Sequence, residues 1–292
     1  MKPASFDYFP ARDVDSAVRA LASANGDAKL LAGGQSLVPM LNFRLLRPSL
    51  LVDINGIPDL SYVREDGDAI RIGATTRHRE LKDSSVVAAE LPVLREAMHH
   101  VAHLAIRNRG TIGGSLSHAD PAAELPMMSL LLDAIFEIAS SKGRRTIRAE
   151  EFFVGALTSS LEEDDMLVEV QVPKLPDGTG WSFEEIARRS GDFAMACVAV
   201  VLTRRDNAVG DVRIAMTGVA QTPVRAGESE NILEGKPLTD DGIRAAVAAI
   251  RSAIEPNTDL HASAEYRRHV IGILADRAIR QAWERAGEAP GG

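Results

Sequence analysis

The chain has 292 residues, 45% of them hydrophobic and 25% charged, with a formal net charge of -8 at pH 7. That length suits two or three domains with a sizeable core, and the acidic balance excludes a binder of nucleic-acid phosphates, which needs a basic face. A single cysteine, Cys197, excludes an internal disulfide, a cysteine-ligated zinc site and a four-cysteine iron–sulfur cluster on this chain.

Residues 13–24 read as a first helix. Val14, Ala17, Val18 and Leu21 follow helical spacing behind Asp13 as N-cap. A short strand, 29–32, runs into Gly33-Gly34, and a second strand, 50–54, follows Pro48. Residues 60–64 and 69–73 flank Asp66-Gly67 as a hairpin. A long helical stretch spans 86–103, a polar glycine-bearing segment 107–120, and an apolar helix 122–132, whose Met127-Met128 and Leu130–Leu132 read as core. Residues 135–140 and 144–148 form a second hairpin across Lys142-Gly143, and 166–172 is a buried strand closed by Pro173. The Pro- and Gly-bearing stretch 173–180 is the linker candidate. Beyond it come three strands, 181–188, 194–204 and 212–218, the last two joined through Asp206-Asn207 as an antiparallel meander. Helices at 240–253 and 264–283 follow, so strands then helices give a separate α+β domain. The end, 287–292, reads as a flexible tail. Cys197 lies in the apolar run 194–200 and reads as a small buried hydrophobe. The N-terminus has no apolar signal core and no run reaches membrane-spanning length, so a cytoplasmic chain is expected.

Two segments carry chemistry. In the first, a strand ends in Leu31, Ala32, Gly33 and Gly34, followed by Gln35, Ser36 and Leu37. Two glycines let the backbone turn with no Cβ in the way, and successive N–H groups in such a turn form a concave anion site. Taken alone, a Gly-Gly turn is an ordinary strand-to-helix connection. The second segment, 106–126, adds Ile106, Thr111, Ile112, Gly113, Gly114, Ser115, His118, Asp120 and Glu124. Two such loops can clamp a pyrophosphate from both sides, with a carboxylate near the ribose hydroxyls. Neither is a Walker A loop or a G-x-G-x-x-G fingerprint, so a dinucleotide held in another way is what the residues permit. His99 and His103 are spaced to share a helix face, but no third ligand accompanies them, and no metal site is expected.

Together these segments resemble the flavoprotein, or medium, subunit of the carbon monoxide dehydrogenase and xanthine dehydrogenase family. The residues that carry the likeness are Ala32-Gly33-Gly34-Gln35-Ser36-Leu37 and, about 75 positions on, the run from Arg107 through Gly110-Thr111-Ile112-Gly113-Gly114-Ser115 to His118-Ala119-Asp120-Pro121. Two further stretches are similar to the family's: the strand 164–173, and the turn Arg188-Arg189-Ser190-Gly191-Asp192-Phe193-Ala194. The resemblance implies an α+β chain. A two-lobed α/β FAD-binding domain of the vanillyl-alcohol-oxidase-like type would span 1–175, with lobes of about 1–57 and 58–175. A C-terminal domain at 180–286 would hold a three-stranded antiparallel sheet and helices.

It also implies one noncovalent FAD, with molybdopterin on a large partner subunit and two 2Fe–2S clusters on a small one. Electrons from substrate hydroxylation would pass through the clusters to the flavin and on to an external acceptor. Carried over by position, Leu31 to Leu37 line the pyrophosphate, and Thr111, Gly114 and Ser115 form the facing loop. Ile106, Ile112, Gly113 and His118 belong to the same site, Glu124 meets the adenosine ribose, Leu167 packs on the cofactor, and Asp192 and Phe193 approach the ring. No residue of this chain is expected to be catalytic. Related chains often carry a lysine ahead of the Arg188-Arg189 turn, where this chain has Glu184 and Glu185; that flavin contact stands open. The cysteine-bearing insertion of the coenzyme-A-thioester reductases is absent. Two other readings remain: an autonomous flavin oxidoreductase with its own organic substrate, and a structural subunit without flavin, against which the intact glycines count.

Overall fold

A computed structural model describes residues 2–287. The first lobe is a three-stranded parallel sheet in the order β1-β3-β2, built from β1 (Asp7–Pro10), helix α1 (Val14–Ser23), β2 (Ala28–Leu31), short helix α2 (Leu37–Asn42) and β3 (Leu50–Asp53). Asp13 caps α1 by accepting from Ser16 N at 2.6 Å, and Ala17, Val18 and Leu21 are the face it buries.

The second lobe is a five-stranded antiparallel sheet in the order β4-β5-β10-β6-β7. Its strands and helices in chain order are β4 (Val63–Asp66), β5 (Ala69–Gly73), α3 (His78–Asp83), α4 (Ser85–Glu90), α5 (Pro92–His100), α6 (Leu104–Arg107), α7 (Ile112–His118), α8 (Glu124–Leu131), β6 (Ile135–Ser140), β7 (Gly143–Arg148), α9 (Ala149–Phe152), β8 (Phe153–Gly155), β9 (Thr158–Ser159) and β10 (Met166–Pro173). Both expected hairpins form, and β10 inserts between them. The expected single helix over 86–103 is interrupted. Pro92 lacks an N–H and forces the residue before it out of the helical region, and Leu91 sits at φ -136°, ψ 56°. The helix also stops at His100, while His103 caps the next one. His99 and His103 therefore share no helix face, and among the described residues no three His, Cys, Asp or Glu side chains gather to hold a metal ion.

The C-terminal part is built from β11 (Gly180–Ala187), β12 (Ala194–Arg205), β13 (Ala208–Thr217), β14 (Val224–Arg225), α10 (Gly227–Leu233), α11 (Asp240–Ala253) and α12 (Ala264–Gly287). Its sheet has four strands, not the expected three, because two residues of β14 pair with Ala215 and Met216. The third strand begins at Ala208, earlier than expected, since the turn at Asp206 (φ 56°) is tight enough to pair Ala208 with Arg205. Of the expected flexible tail, Gly287 belongs to α12 and 288–292 lie outside the described residues.

Strand periodicity decides how the parts join. Successive side chains of a strand point to opposite faces. In β12, Ala194, Cys197, Ala199 and Val201 enter the core of the second lobe, while Ala196, Val198, Val200 and Leu202 pack under α11 and α12. This sheet is buried on both faces, so its central strand is apolar without alternation. β10 plays the same role toward the first lobe: Leu167 and Val170 belong to the second lobe's core, Met166 and Val168 to the first lobe's.

Candidate functional site

The first glycine loop leaves β2 at Leu31 and re-enters regular structure at α2. Gly34 adopts φ +71°, a conformation that L side chains rarely take. Among the described residues, the backbone N–H groups of Gly33, Gly34, Gln35 and Ser36 donate to no protein acceptor. Four successive free N–H groups make a cradle for an anion. The loop is braced from behind. Asn55 Nδ2 donates to the Leu31 and Ala32 carbonyls at 3.2 and 2.8 Å, and Gln35 Nε2 donates to Gly33 O at 2.9 Å.

The second loop, between α6 and α7, is built differently. Several of its N–H groups are already used: Ile112 N to Thr76 O, Gly113 N to Ala74 O, and Ser115 N to Thr111 O. The Thr111 hydroxyl, fully inside the protein, caps α7 by accepting from Gly114 N at 3.1 Å. His78 backs the loop. Its N donates to Gly110 O, and its Nε2 lies 3.0 Å from Thr111 O. Burial pushes the His78 pKa down to about 4, so the ring is neutral at pH 7 and Nε2–H is the donor toward that carbonyl. Ser115, Ser117 and His118 are half-buried on α7, and Ala119 ends the helix at φ 52°.

The two loops touch. A Cβ on Gly33 would run into the Arg109 carbonyl oxygen and lie 2.8 Å from Gly110 Cα, and one on Gly114 would lie 3.9 Å from Ala32 Cβ. Leu31 to Leu37 and Thr111 to His118 thus form two facing walls. Ile106 stands exposed on α6, and its carbonyl accepts Gly110 N at 2.7 Å.

The other expected site residues lie deeper or farther along. Leu167 is buried at a register shift of β10. Asp192 is half-buried in the turn before β12, and Phe193 beside it is exposed. Arg107 is spent on the carbonyls of Val101 and Ala102 beyond the end of α5. Glu124 opens α8 and is only 5% exposed. The charges of Glu185 and His100 act on it. His100 Nδ1 is 3.7 Å from Glu185 Oε1, the His100 ring packs on Phe183 at 4.8 Å, and Glu185 pairs with Cys197 across the sheet.

Comparison with known proteins decides the family. Residues 4–175 match the family described as "FAD binding domain in molybdopterin dehydrogenase", and 181–282 match "CO dehydrogenase flavoprotein C-terminal domain". The chain belongs to the FAD-binding subunits of molybdopterin dehydrogenases. It is 46% identical to the 6-hydroxypseudooxynicotine dehydrogenase complex subunit alpha of Paenarthrobacter nicotinovorans, over 98% of this chain and 97% of that one. It is 41% identical to the carbon monoxide dehydrogenase medium chain of Hydrogenophaga pseudoflava, over 98% and 99%. A solved structure of carbon monoxide dehydrogenase from Hydrogenophaga pseudoflava superposes with a TM-score of 0.96 at 42% identity, covering 98% of this chain and 99% of that one.

For an FAD-binding subunit of this family, the site fits the cofactor in one respect that owes nothing to the likeness. The cradle of free N–H groups from Gly33 to Ser36 suits a diphosphate, and the backbone of the second loop lies against it. Sequence reasoning named both loops and missed what holds them. His78, Asn55 and Arg77 fall in no motif; only their placement just after β3 and just after the β5 turn hinted that they meet the site.

The buried carboxyl of this family member has a measurable consequence. Burial first, then the charge of Glu185, pushes the Glu124 pKa from 4.5 up to about 8. The folded state therefore holds a proton that the unfolded state releases, and stability falls as pH rises across that window. His100 adds a slope of the same sign, since the Glu185 carboxylate beside it raises its pKa above 6.5. In the flavin-free chain, the melting temperature is expected to fall as pH rises from about 4.5 to about 8, and Glu124→Gln to remove the larger part of that fall, of order a few kcal/mol. The same slope in the variant would assign the effect to other groups.

Proposed function

We propose that this chain carries noncovalent FAD as the electron-outlet subunit of a heteromeric molybdenum hydroxylase. The observation that carries the reading is the run of free N–H groups from Gly33 to Ser36, set against the second loop. In this reading Leu31 to Leu37 hold the diphosphate by backbone donation, while Ser115 and His118 supply side-chain contacts from the facing wall. Glu124 lies on the adenosine side, and Asp192 and Phe193 lie toward the ring.

Held there by the backbone of Leu31 to Leu37, FAD would supply the redox chemistry that links a partner's 2Fe–2S clusters to an external acceptor. The chain's own work is to bind, orient and shield. The one cysteine, Cys197, is fully buried, so this chain offers no ligand set for the clusters; in this reading they and the molybdopterin belong to partner subunits. Relatives carry names of carbon monoxide and 6-hydroxypseudooxynicotine dehydrogenases; the substrate here is set by the molybdenum subunit. No described helix is long and apolar enough to cross a membrane.

The purified chain is expected to show the visible bands of oxidised flavin and to release a molecule of FAD mass. Co-purification with a cysteine-rich small chain would separate this reading from an autonomous oxidoreductase. A colourless protein that also takes up no added FAD would overturn it.

A further inference from the structure

The two glycine loops belong to different lobes, and their spacing has to match a diphosphate. Four linked side chains run between them. Tyr8 OH donates to Asp53 Oδ2 at 2.5 Å, and Asp53 Oδ1 accepts from both Asn55 N and Asn55 Nδ2 at 2.9 and 2.6 Å. Asn55 Nδ2 also holds the Leu31 and Ala32 carbonyls at the root of the first loop. Its Oδ1 accepts from Arg77 Nη2 at 2.7 Å, and Arg77 Nη1 donates to the Arg109 carbonyl of the second loop. That carbonyl is the one facing the Cα of Gly33.

We propose that Arg77 and Asn55 are a positioning pair that sets the distance between the two walls of the diphosphate site. This rests on the FAD reading above and names residues that neither glycine motif contains. Three features favour it over ordinary fold stabilisation. Among the described residues no carboxylate lies within ion-pair distance of the Arg77 guanidinium, and its two acceptors are neutral and on different lobes. The guanidinium is a rigid planar fork, so its two N–H directions fix two acceptors relative to each other; an ammonium does not. The backbone of Arg77 is itself anchored, with its N donating to Glu80 Oε2 at 2.8 Å and a β-bridge to Thr111.

The test is an FAD titration of the flavin-free full-length chain by fluorescence quenching, with melting temperature recorded on the same samples. Arg77→Gln, Arg77→Lys and Asn55→Ala are each expected to weaken FAD binding about tenfold or more, the size of a lost hydrogen bond to a charged group. Lysine is expected not to rescue. The flavin-free variants should melt within a few degrees of the parent. The Arg77→Gln/Asn55→Ala double variant should bind no more weakly than the worse single one, because both changes cut the same link. Single variants that bind FAD as the parent does would overturn the proposal. So would additive losses that track a falling melting temperature, since those mark fold stabilisation alone. A parent chain that takes up no FAD would instead overturn the reading of the site, and this inference with it.

Discussion

Gly33→Val is expected to abolish FAD binding while leaving a folded chain. The glycine is buried, and any Cβ there meets backbone, namely the Arg109 carbonyl oxygen and Gly110 Cα at 2.8 Å. Backbone cannot swing aside as a long side chain can, so the second loop must retreat. That retreat pulls the Arg109 carbonyl from Arg77 and opens the two walls together. Four free N–H groups that lose their geometry lose their combined field on an anion, so the expected loss is about a hundredfold or more in affinity. Gly114→Val is the informative control. Its Cβ would meet the Thr111 hydroxyl at 2.8 Å, which is a cap side chain and not backbone. Loss of such a cap costs about 1 kcal/mol, so a weaker effect on FAD is expected. Equal occupancy in Gly33→Val and the parent, measured as bound flavin per chain, would show that the loops adjust independently.

The second large effect concerns the C-terminal sheet. Gly180 opens β11 directly beneath α12. A Cβ there would overlap the Ala282 carbonyl oxygen and lie 2.5 Å from Ala286 N. The helix cannot rise locally, because Ser182 Oγ donates to Gln281 Oε1 at 2.9 Å and Arg285 Nη1 donates to Trp181 O at 2.7 Å with its guanidinium 3.9 Å above the Trp181 ring. Gly180→Ala therefore lifts the helix and unpacks Ile271, Leu274, Ala278 and Ile279 from β12. Overpacking of this kind costs about 3 kcal/mol, a drop in melting temperature of about 6 °C or more for a chain this long. Near-ultraviolet circular dichroism of Trp181 and Trp283 should change with it. A variant that melts with the parent would mean that α12 shifts freely on the sheet.

Local pattern explains what was legible in the sequence. The hairpin at Asp66-Gly67, helices α1 and α11, and the strand closed by Pro173 each depend on residues within a turn or two. Spacing, caps and turn residues therefore report them. The break at Leu91-Pro92 was equally local, and was overlooked because apolar spacing continued across a proline that cannot. The fourth strand, Val224–Arg225, left no trace, because two residues have no period and their pairing with Ala215 and Met216 is a long-range event. Both glycine loops could be named because glycine is required where the backbone must turn or approach closely, and that requirement shows in the residue itself.

By itself, then, the sequence determined the glycine loops, helices α1, α8, α11 and α12, the two hairpins of the second lobe, the apolar strands and the family likeness, all written in neighbouring residues. Only the tertiary structure decided that the Arg109–Gly110 backbone rests on Gly33, that Asn55 and Arg77 tie the walls across 22 positions, and that Glu124 is buried where the charges of Glu185 and His100 act on it. It also decided that β12 divides its alternate side chains between two cores. The physical reason is the same in each case. An asparagine, an arginine or a glutamate in an irregular segment has no periodicity to betray its partner, and a buried polar group is defined by whatever the rest of the chain brings against it.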